Sequence, residues 1–245
     1  MADDPDLACW LVKRLGGYFT LDKEDIAAIA RLPATSRRHE AGQYLLREGD
    51  RPKTCAFLLT GFVFRHKIVG DGGRQIVAIS VPGDFVDVQN ILLDTSDHNI
   101  QALTHADVAH VQIEDLVAIA AKRPTIATAL WRETLVESSA MREWIANIGR
   151  RDARTRTAHL LCELALRCEV MGLGARDTFQ LPMTQEQLGD SLGLTSVHVN
   201  RTLKTLEDDG LISRTKRLVA VRNWEGLRRA GDFASAYLHI PEKPA

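Results

Sequence analysis

The chain has 245 residues, of which 45% are hydrophobic and 26% are charged, and its formal net charge is −1. This length suits two modest domains, and the composition is ordinary for a soluble globular protein. No apolar run approaches the roughly 18 residues that a membrane helix needs, so we expect no membrane span. The acidic start, MADDPDLACW, has neither a basic segment nor an apolar core, so we expect no secretory signal and a cytoplasmic location.

The near-zero net charge conceals an uneven distribution. Residues 150–229 contain fourteen Lys and Arg against ten Asp and Glu, whereas the rest of the chain contains seventeen against twenty-two. A basic part joined to an acidic part is typical of a nucleic-acid module attached to a module with another task. The four cysteines form no CxxC pair, and we expect reduced thiols rather than a metal or cluster site.

The first half of the chain predicts helix followed by β structure. Residues 6–32 have helical spacing, and Asp22 is placed to cap the segment LDKEDIAAIARL. Over residues 37–113, short apolar or alternating runs are interrupted by glycines about every ten residues, which indicates an antiparallel β-sandwich or barrel. Asp71-Gly72 within VGDGGRQ predicts a hairpin turn.

A long helix is predicted next, beginning near Pro124. Six of its residues follow a 4-3-4-3-4 spacing that is typical of a heptad seam between two parallel helices. They are Leu130, Thr134, Glu137, Met141, Trp144 and Ile148. The seam reading predicts a twofold dimer, and the alternative is that the stripe packs on the β domain of its own chain. GRR at 149–151 is interpreted as a hinge, followed by an amphipathic helix that ends at Gly172.

From Leu181 onward the order is helix, tight turn, helix and hairpin. Thr184 and Gln187 have the spacing of a capping box at the first helix, and Gly193 stands where a left-handed residue ends it. Thr195 caps the second helix. LISRTKRLVAV is interpreted as a two-stranded wing. Together these elements predict a winged helix-turn-helix.

The second helix of this unit has one buried and one outward face. Val199, Leu203 and Leu206 follow the i, i+4, i+7 spacing of a core stripe. The opposite face carries Ser196, Val197, Asn200, Arg201 and Lys204.

Such a helix fits the major groove of DNA. Arg201 can donate two hydrogen bonds to guanine, Asn200 can pair with adenine or hold a phosphate, and Val197 can contact a thymine methyl. We therefore expect base reading from Ser196, Val197, Asn200 and Arg201. We expect phosphate contacts from Thr184, Thr195, His198, Lys204, Lys216 and Arg217. The alternative is a helical hairpin that serves packing alone.

This order of elements resembles the Crp/Fnr superfamily of bacterial transcription regulators, which are relatives of the cyclic-AMP receptor protein. The resemblance spans nearly the whole chain and is carried by EGDRPKTCAFLLTGFVFRHKIVGDGGRQIVAISVPGDF (48–85) and MTQEQLGDSLGLTSVHVNRTLKTLEDDGLI (183–212). It implies an α+β fold with an N-terminal antiparallel β-roll, similar to the cyclic-nucleotide-binding jelly roll, a long central dimerisation helix and a C-terminal winged helix-turn-helix. It also implies a homodimer on a palindromic double-stranded DNA operator, with RNA polymerase as a further partner.

The resemblance also gives roles to residues of the reading helix. It makes Arg201 the base-reading arginine and Thr184 a phosphate contact. The best-known members have a glutamate where this chain has Val197, and that carboxylate accepts a hydrogen bond from cytosine. Since valine accepts none, we expect a half-site that shares the guanine read by Arg201 and differs at the neighbouring position.

The sensor half departs from the members that bind cyclic AMP. Those members follow the PG turn with a Gly-Glu for the ribose and carry an Arg-Ser for the cyclic phosphate. Here Phe85, Val86 and Asp87 follow the turn and are the candidate effector pocket, and no arginine lies between Arg74 and Arg123. A buried phosphate without a cation is costly, so we do not expect cyclic AMP to bind, and the effector stays unknown.

No cofactor is predicted. Cys9 alone cannot supply the N-terminal cluster that an iron–sulfur switch needs. His98, His105 and His110 lack the HxH spacing of metal-binding β-barrels, so we interpret them as structural or solvated histidines.

Three classes of function follow from the sequence. The favoured one is a homodimeric regulator that reads an inverted repeat through residues 195–209 and is gated by an unknown signal at the β-roll. The alternatives are a cyclic-nucleotide or other small-molecule sensor whose DNA binding is secondary, and a metal enzyme of the cupin type. No catalytic constellation emerges, so we do not expect an enzyme. The predicted domains are a β-roll sensor (1–122), the central helix (123–149) and a DNA-binding domain (150–245).

Overall fold

A computed structural model of the protein describes residues 7–17 and 19–240. The acidic N-terminal residues 1–6, on which the expectation of no secretory signal rests, lie outside this range, as do residue 18 and residues 241–245. The described residues form two compact units: one holds those up to His66 together with Ile79–Ser138, and the other holds Lys67–Ala78 together with Ser139–Ile240. No helix among the described residues is long and apolar enough to cross a membrane.

Two helices open the first unit. They are α1 (Leu7–Gly16) and α2 (Lys23–Ala30). Asp22 caps α2 as predicted, by accepting a hydrogen bond from the Asp25 backbone N–H at 2.7 Å. Ile29 is buried, but Ile26, which the helical spacing placed on the same face, is 42% exposed.

Seven strands form the predicted β-roll. They are β1 (Ala34–His39), β2 (Tyr44–Leu46), β3 (Thr54–Thr60), β4 (Val63–Ile68), β5 (Arg74–Ser80), β6 (Asn99–Ala102) and β7 (Ala106–Gln112). They make two sheets, with strand orders β1-β7-β3 and β2-β6-β4-β5. β3 is a continuous apolar run because both of its faces are covered: Ala56 and Leu58 pack in the interior of the roll, whereas Phe57 and Leu59 pack with residues of α1. The predicted turn at Asp71-Gly72 joins β4 to β5, with Gly72 at φ 83°.

Three helices follow the roll. They are α3 (Ile113–Lys122), α4 (Pro124–Arg150) and α5 (Ala153–Met171). α3, which follows β7 directly, was not predicted from the sequence. α5 ends at Gly172, in the left-handed conformation, as predicted.

The remaining elements complete the second unit. They are β8 (Thr178–Gln180), α6 (Gln185–Leu192), α7 (Ser196–Asp208), β9 (Ile212–Thr215), β10 (Leu218–Val221) and α8 (Trp224–Ala230). The wing has a third strand, since the sheet order is β8-β10-β9. Neither β8 nor α8 was predicted. The fold class expected from the sequence is confirmed: an antiparallel β domain, a long helix and a C-terminal winged helix-turn-helix.

The predicted heptad seam on α4 needs a correction. Leu130 is buried in the core of its own unit, Glu137 forms an ion pair with Arg65 of β4, and Trp144 donates a hydrogen bond to Glu163 of α5 at 3.0 Å. These three residues therefore face their own chain. Of the other three, Met141 is exposed, whereas Thr134 and Ile148 are half-buried.

An exposed apolar stripe lies one position further along α4. It consists of Trp131, Leu135, Met141 and Ile145, which are 68%, 56%, 41% and 70% exposed. With Ser138 and Arg142 counted at the positions between them, Trp131, Leu135 and Ile145 follow the 4-3-4-3 spacing of a heptad seam, and Met141 borders this row from the predicted one. The helix thus carries two heptad-spaced rows, and packing within the chain has already covered half of the predicted one.

Candidate nucleic-acid interface

The first helix of the candidate interface is fixed at both ends. Thr184 caps α6 by accepting from the Gln187 backbone N–H at 3.2 Å, and the Gln187 side chain accepts from the Thr184 N–H at 2.8 Å, which completes the predicted capping box. At the other end Gly193 takes φ 64°, the left-handed conformation expected there. The ends of α6 are therefore set by local chemistry that the sequence already shows.

The turn between α6 and α7 depends on a close backbone approach. The Leu194 backbone N–H donates to the Gly189 carbonyl at 3.0 Å. A Cβ at position 189 would lie 2.4 Å from the Leu194 carbonyl oxygen, so no residue larger than glycine fits without moving the turn. Gly189 thereby fixes how closely α7 follows α6.

The second helix presents the residues predicted to read bases. Thr195 caps it by accepting from the His198 backbone N–H at 3.3 Å. Val199, Leu203 and Leu206 are at most 1% exposed, whereas Val197 is 68% exposed. Of the two valines in SVHV, Val199 is therefore buried and Val197 is exposed, as the helical spacing predicts.

The reading face is polar as well as apolar. Ser196, Asn200 and Arg201 are exposed beside Val197. Among the described residues, Arg201 has no ion-pair partner, so its guanidinium is available to a ligand. This face therefore offers both apolar surface, from Val197, and hydrogen-bond donors, from Asn200 and Arg201, to a ligand.

The predicted phosphate contacts lie around this face. Thr184 and Thr195 are exposed helix caps, His198 is exposed on α7, and Lys204 lies 3.7 Å from Asp208. Lys216 occupies the wing turn with φ 56°, and both it and Arg217 are exposed.

Arg214, a third basic residue of the segment LISRTKRLVAV, has a different position from Lys216 and Arg217. It lies on β9 and pairs with Glu207 of α7 at 2.9 Å, and its hydrogen bond lowers the pKa of the Glu207 carboxyl. Arg214 therefore ties the wing to α7 rather than reaching outward.

A groove beside the reading helix was not predicted. It has a volume of about 370 Å³ and is lined by the start of α5 and by one side of α7. Arg154 lies in this lining together with His198 and Arg201, and it pairs with Asp209 at 2.6 Å. No sequence spacing links residues 154 and 201, so only the fold reveals that two arginines border one groove.

The hairpin between β4 and β5 belongs to the same compact unit as α6. Arg74 binds the Asp190 carboxylate at 2.7 Å, and the Gln75 side chain donates to the Asp190 backbone carbonyl at 2.7 Å. Arg74 also lies 4.0 Å from Glu186. The hairpin therefore holds the C-terminal half of the helix that precedes the reading helix.

The residues predicted to form an effector pocket are packed into the protein. Phe85 meets Phe57 edge-on, with ring centroids 5.1 Å apart, and Val86 is 2% exposed in the core of the roll. Asp87 is 4% exposed and accepts from the Ala56 backbone N–H at 2.6 Å. Burial raises the pKa of Asp87, and this hydrogen bond opposes the shift.

Arg65 is a largely buried cation that was not predicted from the sequence. It pairs with Ile100 across the sheet, so it shares the face of Ile100 that packs inside the roll. Its guanidinium donates to the Val86 carbonyl at 2.6 Å and forms an ion pair with Glu137 of α4. Burial lowers the pKa of Arg65 to about 10, while the charges of Asp87 and Asp97 oppose the shift.

Comparisons with known proteins agree with this arrangement. Residues 155–230 match the Crp-like helix-turn-helix domain, and residues 36–123 match the cyclic nucleotide-binding domain. The chain is 32% identical over 224 residues to the transcriptional activator protein FnrL of Cereibacter sphaeroides, a match that covers 89% of each chain. The chain belongs to the Crp/Fnr family of transcription regulators.

Other family members support the same assignment. The nitrogen fixation regulation protein FixK of Azorhizobium caulinodans is 32% identical over 173 residues, which is 70% of this chain and 69% of FixK. The structure of FixK2 from Bradyrhizobium japonicum superposes with a TM-score of 0.77 at 27% identity, over 83% of this chain and 100% of that one. These relatives are regulators rather than enzymes, and this Crp/Fnr protein is accordingly a DNA-binding transcription regulator.

Two substitutions distinguish base reading from phosphate binding. Arg201→Ala should cost about 1–3 kcal/mol at the selected site and relax specificity at one base pair, because a bidentate guanine contact is lost. Lys216→Ala, the matched loss of an exposed cation, should weaken binding to all sequences and reduce the salt slope by about one. Fluorescence anisotropy over a salt series, on cognate and single-mismatch duplexes, measures both. An equal loss for Arg201→Ala on every duplex would make it a phosphate contact.

Proposed function

We propose that this Crp/Fnr protein is a homodimer that reads an inverted repeat in double-stranded DNA through α7. The observation that carries the proposal is the outward face of α7, where Val197, Asn200 and Arg201 are exposed on a helix whose opposite side is fully packed. A helix fixed in this way can enter the major groove with its N-terminal residues against the base edges. Such a regulator acts in the cytoplasm, where the chromosome lies.

The proposed half-site differs from that of relatives with a carboxylate at the position of Val197. Arg201 takes the guanine through two hydrogen bonds, and Val197 favours a thymine methyl at the neighbouring position. Lys216 and Arg217 of the wing and the capped start of α6 at Thr184 bind phosphates, which set the register.

The proposed dimer forms through the exposed stripe of α4. A parallel helix pair packed through Trp131, Leu135, Met141 and Ile145 would remove four large apolar side chains from water. At about 25 cal/mol per Å² of apolar surface, this burial is the main stabilising term for the pair. A twofold dimer places two reading helices about 34 Å apart, one turn of DNA, and so requires a palindromic operator.

The signal at the β-roll is proposed to be something other than cyclic AMP. The buried cation that a cyclic phosphate would need, Arg65, is already neutralised by Glu137. A phosphate binding to Arg65 would have to displace that carboxylate, and the half-buried Glu137 would lose its cation. The effector stays unidentified, and RNA polymerase is the expected further partner in transcription.

The second candidate is a sensor of cyclic nucleotides or other small molecules whose DNA binding is secondary. The match of residues 36–123 to a cyclic nucleotide-binding domain favours it. Since that match describes a fold shared by proteins with different ligands, the packed Asp87 and the paired Arg65 weigh against this candidate.

Selection from random duplexes tests the proposed function. The full-length protein should enrich one palindrome whose half-site contains the guanine read by Arg201, and addition of cyclic AMP should leave the affinity unchanged. Failure to enrich any palindrome at low salt would overturn the proposal. A tight site that appears only with cyclic AMP would favour the sensor candidate instead.

The dimer is tested by charged substitutions on the stripe. Leu135→Asp combined with Ile145→Asp should halve the mass seen by light scattering, because two carboxylates per helix cannot be buried between the helices. Operator affinity should fall about 100-fold or more, since a monomer binds one half-site at a time. Leu92→Asp, at a loop residue that is 87% exposed, is the matched control and should stay dimeric. A dimeric double variant would place the interface elsewhere.

The hairpin of residues 67–78 is the proposed route by which the roll gates α6. Arg74→Asp should weaken operator binding several-fold, because it sets two carboxylates against each other at Asp190. The exchanged pair Arg74→Asp/Asp190→Arg should recover most of the loss. Operator titrations of the wild type and the two variants decide the matter: unchanged binding in the single variant, or no recovery in the exchanged pair, would remove the hairpin from the gate.

A further inference from the structure

One hydrogen bond joins the two helices of the helix-turn-helix on their outer surface. The Gln185 side-chain amide in the first turn of α6 donates to the Asn200 side-chain carbonyl oxygen at 3.1 Å. Asn200 lies one turn beyond Val197 and beside Arg201, on the face proposed to meet DNA. A residue outside the reading helix therefore acts on a residue of the reading face.

The geometry of the turn holds the two partners at this separation. Gly189 accepts the Leu194 backbone N–H and leaves no room for a Cβ, so α6 cannot slide along α7. Gln185 follows the capping residue Thr184 directly, and this cap fixes the backbone from which its side chain extends. The hydrogen bond thus spans two rigid backbones, and only the side-chain rotamers are free.

The direction of this hydrogen bond decides what Asn200 offers to a base. An asparagine that reads adenine uses both ends of its amide, with Oδ1 accepting from the N6 amino group and Nδ2 donating to N7. Here Gln185 occupies one of the two lone pairs of Oδ1, which favours the amide orientation in which Nδ2, without a partner among the described residues, is the group offered to a ligand. Donation alone suits a base edge that carries acceptors, namely O6 and N7 of guanine or O4 of thymine.

We propose that Gln185 is a specificity-determining residue of this regulator, and that it acts by orienting the Asn200 amide so that its Nδ2 donor faces the DNA. The contact with adenine that the sequence allows for Asn200 is then disfavoured. Asn200 instead favours guanine or thymine as the base that it contacts. Gln185 is a positioning residue and needs no base contact of its own. The inference rests on the proposed reading of DNA by α7.

Two substitutions of Gln185 change the orientation of the Asn200 amide in different ways. Gln185→Glu replaces the donor by a carboxylate, which can accept only, so Asn200 must turn its Nδ2 towards position 185 and present Oδ1 to the DNA. Gln185→Ala removes the partner and leaves the Asn200 amide free to adopt either orientation. Because Gln185 is exposed, both variants should fold like the wild type, and thermal melting checks this.

Selection from random duplexes with the full-length wild type, Gln185→Glu, Gln185→Ala and Asn200→Ala tests the proposal. At the Asn200 position, the wild type should prefer guanine or thymine, and Gln185→Glu should prefer the amino-bearing bases adenine or cytosine. The ratio should change about three- to tenfold, the weight of one exposed hydrogen bond. Gln185→Ala should broaden the preference, and the guanine read by Arg201 should persist in all four proteins.

Two results would overturn the proposal while leaving the proposed function intact. One is an identical base preference in the wild type and Gln185→Glu. The other is an equal loss of affinity on every sequence for Asn200→Ala, which would make Asn200 a phosphate contact. Failure of the proposed function itself is distinguishable, because the wild type would then enrich no palindrome, and the inference would fall with it.

Discussion

The reading surface of this protein depends on the close approach of Gly189 to the Leu194 carbonyl. A Cβ at position 189 would lie 2.4 Å from that oxygen, so the turn closes only around glycine. With the turn closed, Val199, Leu203 and Leu206 of α7 pack into the core of their own domain, and the opposite face of α7 points outward. The exposure of Val197 and the bond from Gln185 to Asn200 both follow from this constraint. The base specificity proposed for α7 would thus depend partly on a backbone contact that touches no base.

The interior of the β-roll follows a different principle, the compensation of buried charge. Arg65 lies on a face that otherwise buries apolar residues, and it forms an ion pair with Glu137 and donates to the Val86 carbonyl. An isolated buried guanidinium would be destabilising, so the pair ties β4 to the long helix α4. The β-roll matches the cyclic nucleotide-binding domain, and in this protein the side chains of Arg65 and Glu137 connect the roll to α4. A signal that separates Arg65 from Glu137 would act directly on the helix proposed to form the dimer.

Local features were predictable from the sequence, and pairings over long distances were not. The caps at Asp22, Thr184 and Thr195 and the left-handed Gly193 depend on residues within a few positions, so their spacing was sufficient. The heptad seam was half wrong because two adjacent rows of α4 share the same spacing, and only packing within the chain decides which is covered. Arg65 with Glu137, and Arg74 with Asp190, are separated by many residues and carry no shared pattern. Only the register of β4 against β6 shows that Arg65 faces inward.

The central claim is that α7 reads DNA with a specificity altered by Val197. The most direct measurement compares the duplexes selected by the wild type and by Val197→Glu. A glutamate at this exposed position can accept a hydrogen bond from cytosine, which valine cannot. If Val197 alters the specificity, the two consensus sequences will differ at one base pair of each half-site, with cytosine gained in the variant and the guanine read by Arg201 retained. Identical consensus sequences for the two proteins would contradict it.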